Sequence, residues 1–127
     1  MTKNQNPKQY DLEERTFLFA QRVRNFVKRL PKTISNIEDI KQLVKASASV
    51  GANYIEANES LSKKDFLYRI KVCRKESKES RYFLRLVETD NTSNIEDERK
   101  ALIQEATELM KIFGSIITKS EARSGLS

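Results

Sequence analysis

The spacing of apolar residues constrains this chain more than any other feature. Leu12, Thr16, Phe19, Val23, Phe26 and Leu30 recur at alternating intervals of four and three. On a helix with about 3.6 residues per turn they form one continuous seam. The pattern returns in Phe66, Ile70, Cys73, Ser77, Ser80, Leu84 and Val87. It returns again in Ile95, Leu102, Ala106, Leu109, Phe113 and Ile116, where Ile103, Ile112 and Ile117 widen the stripe. A further stretch carries Ile40, Leu43, Val44, Ser47, Val50, Gly51, Tyr54 and Ile55 on one face.

Helix-start chemistry separates these stretches. Ser35 with Glu38, Ser62 with Asp65, and Ser93 with Glu96 each place a hydroxyl three residues before a carboxylate, the reciprocal pattern that satisfies free amide donors at a helix N-terminus. Pro31 closes the first segment and "ETDNTSN" the third. The helices expected are 11–31, 36–58, 63–89 and 94–120, with frayed ends at 1–9 and 121–127. Short connections make consecutive helices antiparallel, so the expected fold is all-α, an up-down-up-down four-helix bundle in a single domain spanning 1–127. Three Gly, two Pro and no Trp suit such a bundle better than a β-sandwich, which needs more turn residues.

Several functions lose their chemistry at this stage. With no His, the chain lacks the Glu-x-x-His pairs of a ferritin-like di-iron site and the ligands of zinc deaminases or zincins. Three scattered Gly do not build a phosphate-cradling loop. Cys73 sits on an apolar seam with no base to activate it, and as the only cysteine it forms no internal disulfide. No catalytic residue, metal or cofactor is therefore expected. A reducing cytoplasm is the expected location, because no apolar run approaches a membrane span or a signal-peptide core.

Helix two is unusual in lacking a solvated face: from Ala46 to Ile55 there is no charge, and its side away from the seam holds only Ala46, Ser49, Ala52 and Asn53. Such a helix is usually buried on both sides, which suggests contact with another subunit. Helix three splits its outer side between a basic stripe of Lys64, Lys71, Lys75, Lys78 and Arg85 and an apolar strip of Tyr68, Val72, Phe83 and Leu86, with Glu76 and Glu79 within the strip. Residues 62–90 hold nine Lys or Arg against five Asp or Glu, and residues 1–34 hold eight against three. The net charge of +6 therefore concentrates on helices one and three, where Arg22, Arg24, Lys28 and Arg29 add to the basic surface.

Three separated stretches, "QLVKASASVGANYIEAN", "DFLYRIKVCRKESKESRYFLRLVE" and "ELMKIFGSIITK", resemble in order the bacterial four-helix bundle proteins of the 23S ribosomal RNA intervening-sequence family. The resemblance runs from about Phe17 to Lys119 and includes Ser-x-x-x-Asn-x-x-Glu at Ser49, Asn53 and Glu56 and Lys-Glu-x-x-Glu at Lys75, Glu76 and Glu79. It implies a homo-oligomer, often a ring-like pentamer. It also implies a distant kinship to the accessory subunit of diversity-generating retroelement reverse transcriptases, which binds nucleic acid and the polymerase.

Two function classes follow. The first is a non-catalytic oligomer that binds RNA or DNA through the basic faces of helices one and three, as an accessory to ribosomal RNA or a reverse transcriptase; the second is a structural or protein-interaction scaffold with no nucleic-acid role. A basic stripe is by default a solvated face, so charge alone does not decide between them. Tyr68 and Tyr82 border the stripe and are candidates to stack on bases. For Ser49, Gly51, Ala52, Asn53, Glu56, Glu76 and Glu79 the expectation is a close helix contact with a polar network, opposite Tyr68, Val72 and Phe83 of the same or a neighbouring chain, with Arg69 neutralising a carboxylate.

Overall fold

The computed structural model describes residues 7–123. Four helices, α1 (Pro7–Val27), α2 (Ile34–Asn58), α3 (Lys63–Leu86) and α4 (Ser93–Arg123), account for the regular structure, and no strand occurs among the described residues. Each helix packs on its neighbours in sequence and α1 also packs on α4, whereas among the described residues the α1 and α3 backbones do not approach each other closely. The four therefore form a bundle with α1 and α3 at diagonal corners. Pairings run in opposite numerical directions across two of the seams: Asn53 meets Arg69 while Asn36 meets the Glu88 backbone, and Arg15 meets Glu105 while Arg22 meets Glu98.

All six residues of the first seam are buried, as are Ile70, Cys73, Ser77, Ser80, Leu84 and Val87 of the third segment. Phe66 at its start is half-buried. The hydroxyls on these seams satisfy themselves within their own helix: Thr16 donates to the Leu12 carbonyl at 2.7 Å, Ser77 to Cys73 and Ser80 to Glu76, each at 2.8 Å. Burial then strands no donor. On α4 the deeper residue is Ile117 rather than Ile116.

Helix boundaries differ from expectation where proline and side-chain caps intervene. α1 stops at Val27 rather than residue 31, because the Pro31 ring would clash with the carbonyl of residue 27 in a continuing helix. Tight turns from Arg29 to the Phe26 carbonyl and from Leu30 to that of Val27 close it instead. Ser35 does not cap α2: the N-cap is Thr33, whose hydroxyl accepts the Asn36 amide at 3.1 Å, and Ser35 lies inside the helix. Ser62 caps α3 as expected, accepting from the Asp65 amide at 3.0 Å. Ser93 is already helical, since the Glu96 amide bonds the Thr92 carbonyl at 2.9 Å. Residues 7–9 and 121–123, expected to fray, are helical, while 1–6 and 124–127 lie outside the described residues.

α3 ends at Leu86 rather than 89, and two side chains take over its terminus. Arg99 donates to the carbonyls of Leu84, Arg85 and Val87 at 2.9, 3.1 and 2.7 Å, supplying the partners that the last helical carbonyls lack. Glu96 holds that guanidinium and accepts from Thr89. Arg99 and Thr89 together draw the Glu96 carboxyl down to about 2. Asn36, fully buried, donates to the carbonyls of Pro31 at 2.9 Å and Glu88 at 2.8 Å and accepts the Glu88 amide at 2.8 Å. The two loops at this end of the bundle are thus joined through one amide. The turn between α3 and α4 places Asp90 and Asn91 at φ 59° and 57°, a left-handed conformation that these residue types tolerate.

Most of the face expected of α2 is in the core: Leu43, Ser47, Val50 and Tyr54 are buried and Ile40 and Val44 pack against them, but the burial widens on one side and fails at Ile55. Ala46, Val50, Asn53 and Ala57 turn toward α3, where the Cys73 thiol reaches the Val50 carbonyl at 3.4 Å, and Ile55, expected in the core, is 54% exposed. Gly51 faces α1: a Cβ there would lie 2.9 Å from the Thr16 hydroxyl oxygen and 3.2 Å from Thr16 Cβ. Contacts within the chain therefore account for much of the uncharged stretch, leaving Ala48, Ser49 and Ala52 as a narrow strip open to the outside.

Candidate nucleic-acid interface

Every candidate cation named from the sequence is exposed, but the fold sorts them into two separate groups. Because α1 and α3 are diagonal, Arg22, Arg24, Lys28 and Arg29 do not share a surface with Lys64, Lys71, Lys75, Lys78 and Arg85. The basic faces of helices one and three are two separate surfaces.

α4 decides what each group looks like to a partner. Counted as a segment it is near neutral, yet its charges divide by side. Glu98, Glu105 and Glu108 turn toward α1, where Arg15 binds Glu105 at 2.7 Å and Glu108 at 2.7 Å and Arg22 binds Glu98 at 3.3 Å. The hydrogen bond from Arg15, led by its contact with Glu105, raises the guanidinium pKa further. Gln104 and then Arg15 lower that of Glu108. Ion pairs therefore bridge α1 and α4 along this seam.

The α3–α4 seam is the opposite case. Lys71, Arg74, Lys78, Arg81 and Arg85 recur at intervals of three and four, so they form one strip along α3. Three contacts fix this strip against α4: Lys71 lies 3.3 Å from Glu121, Arg74 passes 4.0 Å from where a Gly114 Cβ would sit, and Arg81 donates to Thr107 at 3.3 Å. Across the seam, exposed Lys111 lies one turn from both Thr107 and Gly114, and exposed Lys100 two turns before Thr107. Glu121 is the acidic partner recorded on this strip, at its Lys71 end. Lys64 and Lys75 lie outside the strip on the solvent ridge, with Lys75 3.6 Å from its neighbour Glu76. From Lys71 to Arg85 the strip runs about 21 Å at roughly 1.5 Å per residue.

Sequence reading missed Arg74, Arg81, Lys100 and Lys111. Their signal was present in the spacing of α3 and in the separation of acidic from basic positions around α4, but charge totals per segment average it away.

The polar residues expected to form a network come together only in part. Arg69 donates to the Asn53 side-chain oxygen at 2.8 Å rather than neutralising a carboxylate, and Asn53 donates to the Ser49 carbonyl at 2.9 Å. Ser49 itself donates to the Lys45 carbonyl. Glu56 lines a shallow cavity of about 340 Å³ with Glu59, Ser60, Leu61, Asp65, Tyr68 and Arg69, at the corner where α2 turns into α3. Glu76 is tied to Lys75, and Glu79 is exposed. This corner is acidic, and Tyr68 belongs to it, with Arg69 5.6 Å from the centre of its ring.

Cys73 is buried, and burial pushes its thiol up to about 12, so it is a poor nucleophile at neutral pH. Among the described residues, no group of three or more His, Cys, Asp or Glu side chains is placed to hold a metal ion, and no helix is long and apolar enough to cross a membrane.

Residues 8–115 match the family model described as 23S rRNA-intervening sequence protein. The chain belongs to this family. Among solved structures, a protein of unknown function from the S23 ribosomal protein family of Bacteroides thetaiotaomicron is 28% identical, with a TM-score of 0.74 over 87% of this chain and 98% of that one. No curated protein matches the chain. The family assignment covers all of α2 and α3 and most of α4, so the basic strip and its α4 flank lie within the matched region.

Proposed function

We propose that this chain is a non-catalytic, RNA-binding four-helix bundle of up-down-up-down topology that takes a sugar–phosphate backbone along the α3–α4 seam. The observation that carries the proposal is the five-residue strip Lys71, Arg74, Lys78, Arg81 and Arg85, flanked by Lys100 and Lys111 while the acids at Glu98, Glu105 and Glu108 are turned away to α1. A strip of one sign, one cation per turn, suits a polyanion whose charges also recur at short intervals. RNA is favoured over DNA because the family's description ties it to a sequence within 23S rRNA. Affinity is then dominated by phosphate contacts and only weakly dependent on sequence.

Assembly of several copies belongs to the same proposal. Ile55 and Phe17, 54% and 58% exposed, and the uncharged Ala48, Ser49 and Ala52 support a contact on the α1–α2 side, opposite the basic seam. A ring-like homo-oligomer such as a pentamer built this way leaves the seam open. Its mass by light scattering should be several times 14.7 kDa, and Ala52→Arg should lower it without loss of helicity. A reducing cytoplasm suits the buried thiol of Cys73.

The decisive test compares two triple variants for binding to a 23S rRNA fragment. Arg74→Gln with Lys78→Gln and Arg85→Gln should weaken binding strongly, whereas Arg24→Gln with Lys28→Gln and Arg29→Gln should leave most of it. The reverse order would move the site to α1. Absence of binding by the unmodified chain would leave a scaffold role as the account of this bundle.

A further inference from the structure

Two exposed tyrosines border α3, and the fold gives them opposite surroundings. Tyr68 lines the acidic corner with Glu56, Glu59 and Asp65, where a phosphate backbone is repelled. Tyr82 stands one helical turn from Lys78 and from Arg85, and two turns from Lys75, on the same face. The residue is 57% exposed and its ring is braced edge-on by Phe83, with centroids 5.1 Å apart and planes at 84°. Phe83 in turn packs against the core. The basic lane therefore contains one aromatic face that is both presented to solvent and held in orientation.

We infer that Tyr82 is a stacking platform for an unpaired base, and that the seam accordingly prefers single-stranded RNA to duplex. The inference rests on the RNA-binding role proposed above and narrows it to a substrate class. A duplex offers the seam only phosphates and sugars along its sides, because its base faces are already stacked on one another. A single strand offers the same phosphates together with free base faces. Stacking on an aromatic side chain strengthens binding by about tenfold or more per base and tolerates any base identity. A ring already braced by Phe83 loses less rotational freedom on binding than a free one. Tyr68 shares the ring chemistry, but Glu56, Glu59 and Asp65 line its corner and Arg69 already lies 5.6 Å from the centre of its ring.

The test uses an oligonucleotide of about a dozen nucleotides, single-stranded or annealed to its complement, with inorganic polyphosphate as a polyanion that has no bases. Tyr82→Ala should weaken single-strand binding about tenfold while leaving the salt dependence unchanged. Tyr82→Phe should bind as the unmodified chain does, and so should Tyr68→Ala. Because the sequence has no Trp, Tyr82→Trp supplies a unique fluorophore whose emission should be quenched by the single strand and not by polyphosphate. Single-strand binding that survives Tyr82→Ala, or no quenching of the Trp on binding, overturns the stacking role while leaving the RNA-binding role intact. Equal affinity for duplex overturns the substrate preference. Failure of both nucleic acids to bind overturns the two proposals together.

Discussion

Two glycines in helix interiors should respond to the same substitution with opposite signs. Gly114→Ala adds a Cβ whose nearest neighbours are Arg74 Cδ and Nη1 at 4.0 Å, ordinary contact distance. Only helix propensity changes there, so the variant should gain about 1 kcal/mol. Gly51→Ala gains the same propensity but drives its Cβ to 2.9 Å from the Thr16 hydroxyl oxygen and 3.2 Å from Thr16 Cβ. Thr16 is buried and β-branched, and its hydroxyl is tied to the Leu12 carbonyl at 2.7 Å, so it has no free rotamer into which to retreat. Forcing α1 and α2 apart, or breaking that buried bond, costs about 1–3 kcal/mol. The net for Gly51→Ala is a loss of about 1 kcal/mol, and the two variants should differ by about 2 kcal/mol. With a urea slope of about 1–3 kcal/mol per molar, their unfolding midpoints should separate by about 1 M. Equal stabilisation by both substitutions would refute the close approach of α2 to α1 at Gly51.

Other expectations concern the ends of the bundle. Asn36→Ala should destabilise by about 2–3 kcal/mol in urea unfolding, because it removes the buried amide that joins the part-buried Glu88 amide and the Pro31 and Glu88 carbonyls. Thr33→Ala should cost about 1 kcal/mol and Ser35→Ala less than about 0.5 kcal/mol, the reverse ordering being evidence against Thr33 as the cap. The Glu96 carboxyl is held at about 2, below its ordinary 4.5, by Arg99 and Thr89, so its contribution is complete above the higher value and is lost as pH falls between the two. Acid titration of stability should therefore be steeper across that window for the unmodified chain than for Glu96→Gln.

Much of the fold was legible because the deciding information is local. The seam Leu12, Thr16, Phe19, Val23, Phe26, Leu30 is buried throughout, and Ser62 caps the helix that its spacing to Asp65 marks. What was not legible depends on partners distant in sequence. Ser35 and Thr33 both precede the same helix, and Thr33 takes the cap because α1 ends early and the helix begins at Ile34. Ile55 is more apolar than Ala46, yet Ala46 is the buried one, since only small residues let α3 approach to where Cys73 reaches the Val50 carbonyl. Asn36 reads as a polar helix-start residue, and its role depends on Glu88, 52 positions away. The basic seam was half visible: Lys71, Lys78 and Arg85 stood out, but Arg74 and Arg81 acquire their place from Gly114 and Thr107. Lys100 and Lys111 were hidden by the acids on the other side of α4.

The salt dependence of RNA binding tests the central claim most directly. Four or five phosphates neutralised along the α3 strip should give a log–log slope of affinity against salt of about −3 for a single strand. The triple variant Arg74→Gln, Lys78→Gln and Arg85→Gln should reduce that slope by about two units. A slope near zero, or one that the triple variant leaves unchanged, would contradict a phosphate-binding seam between α3 and α4.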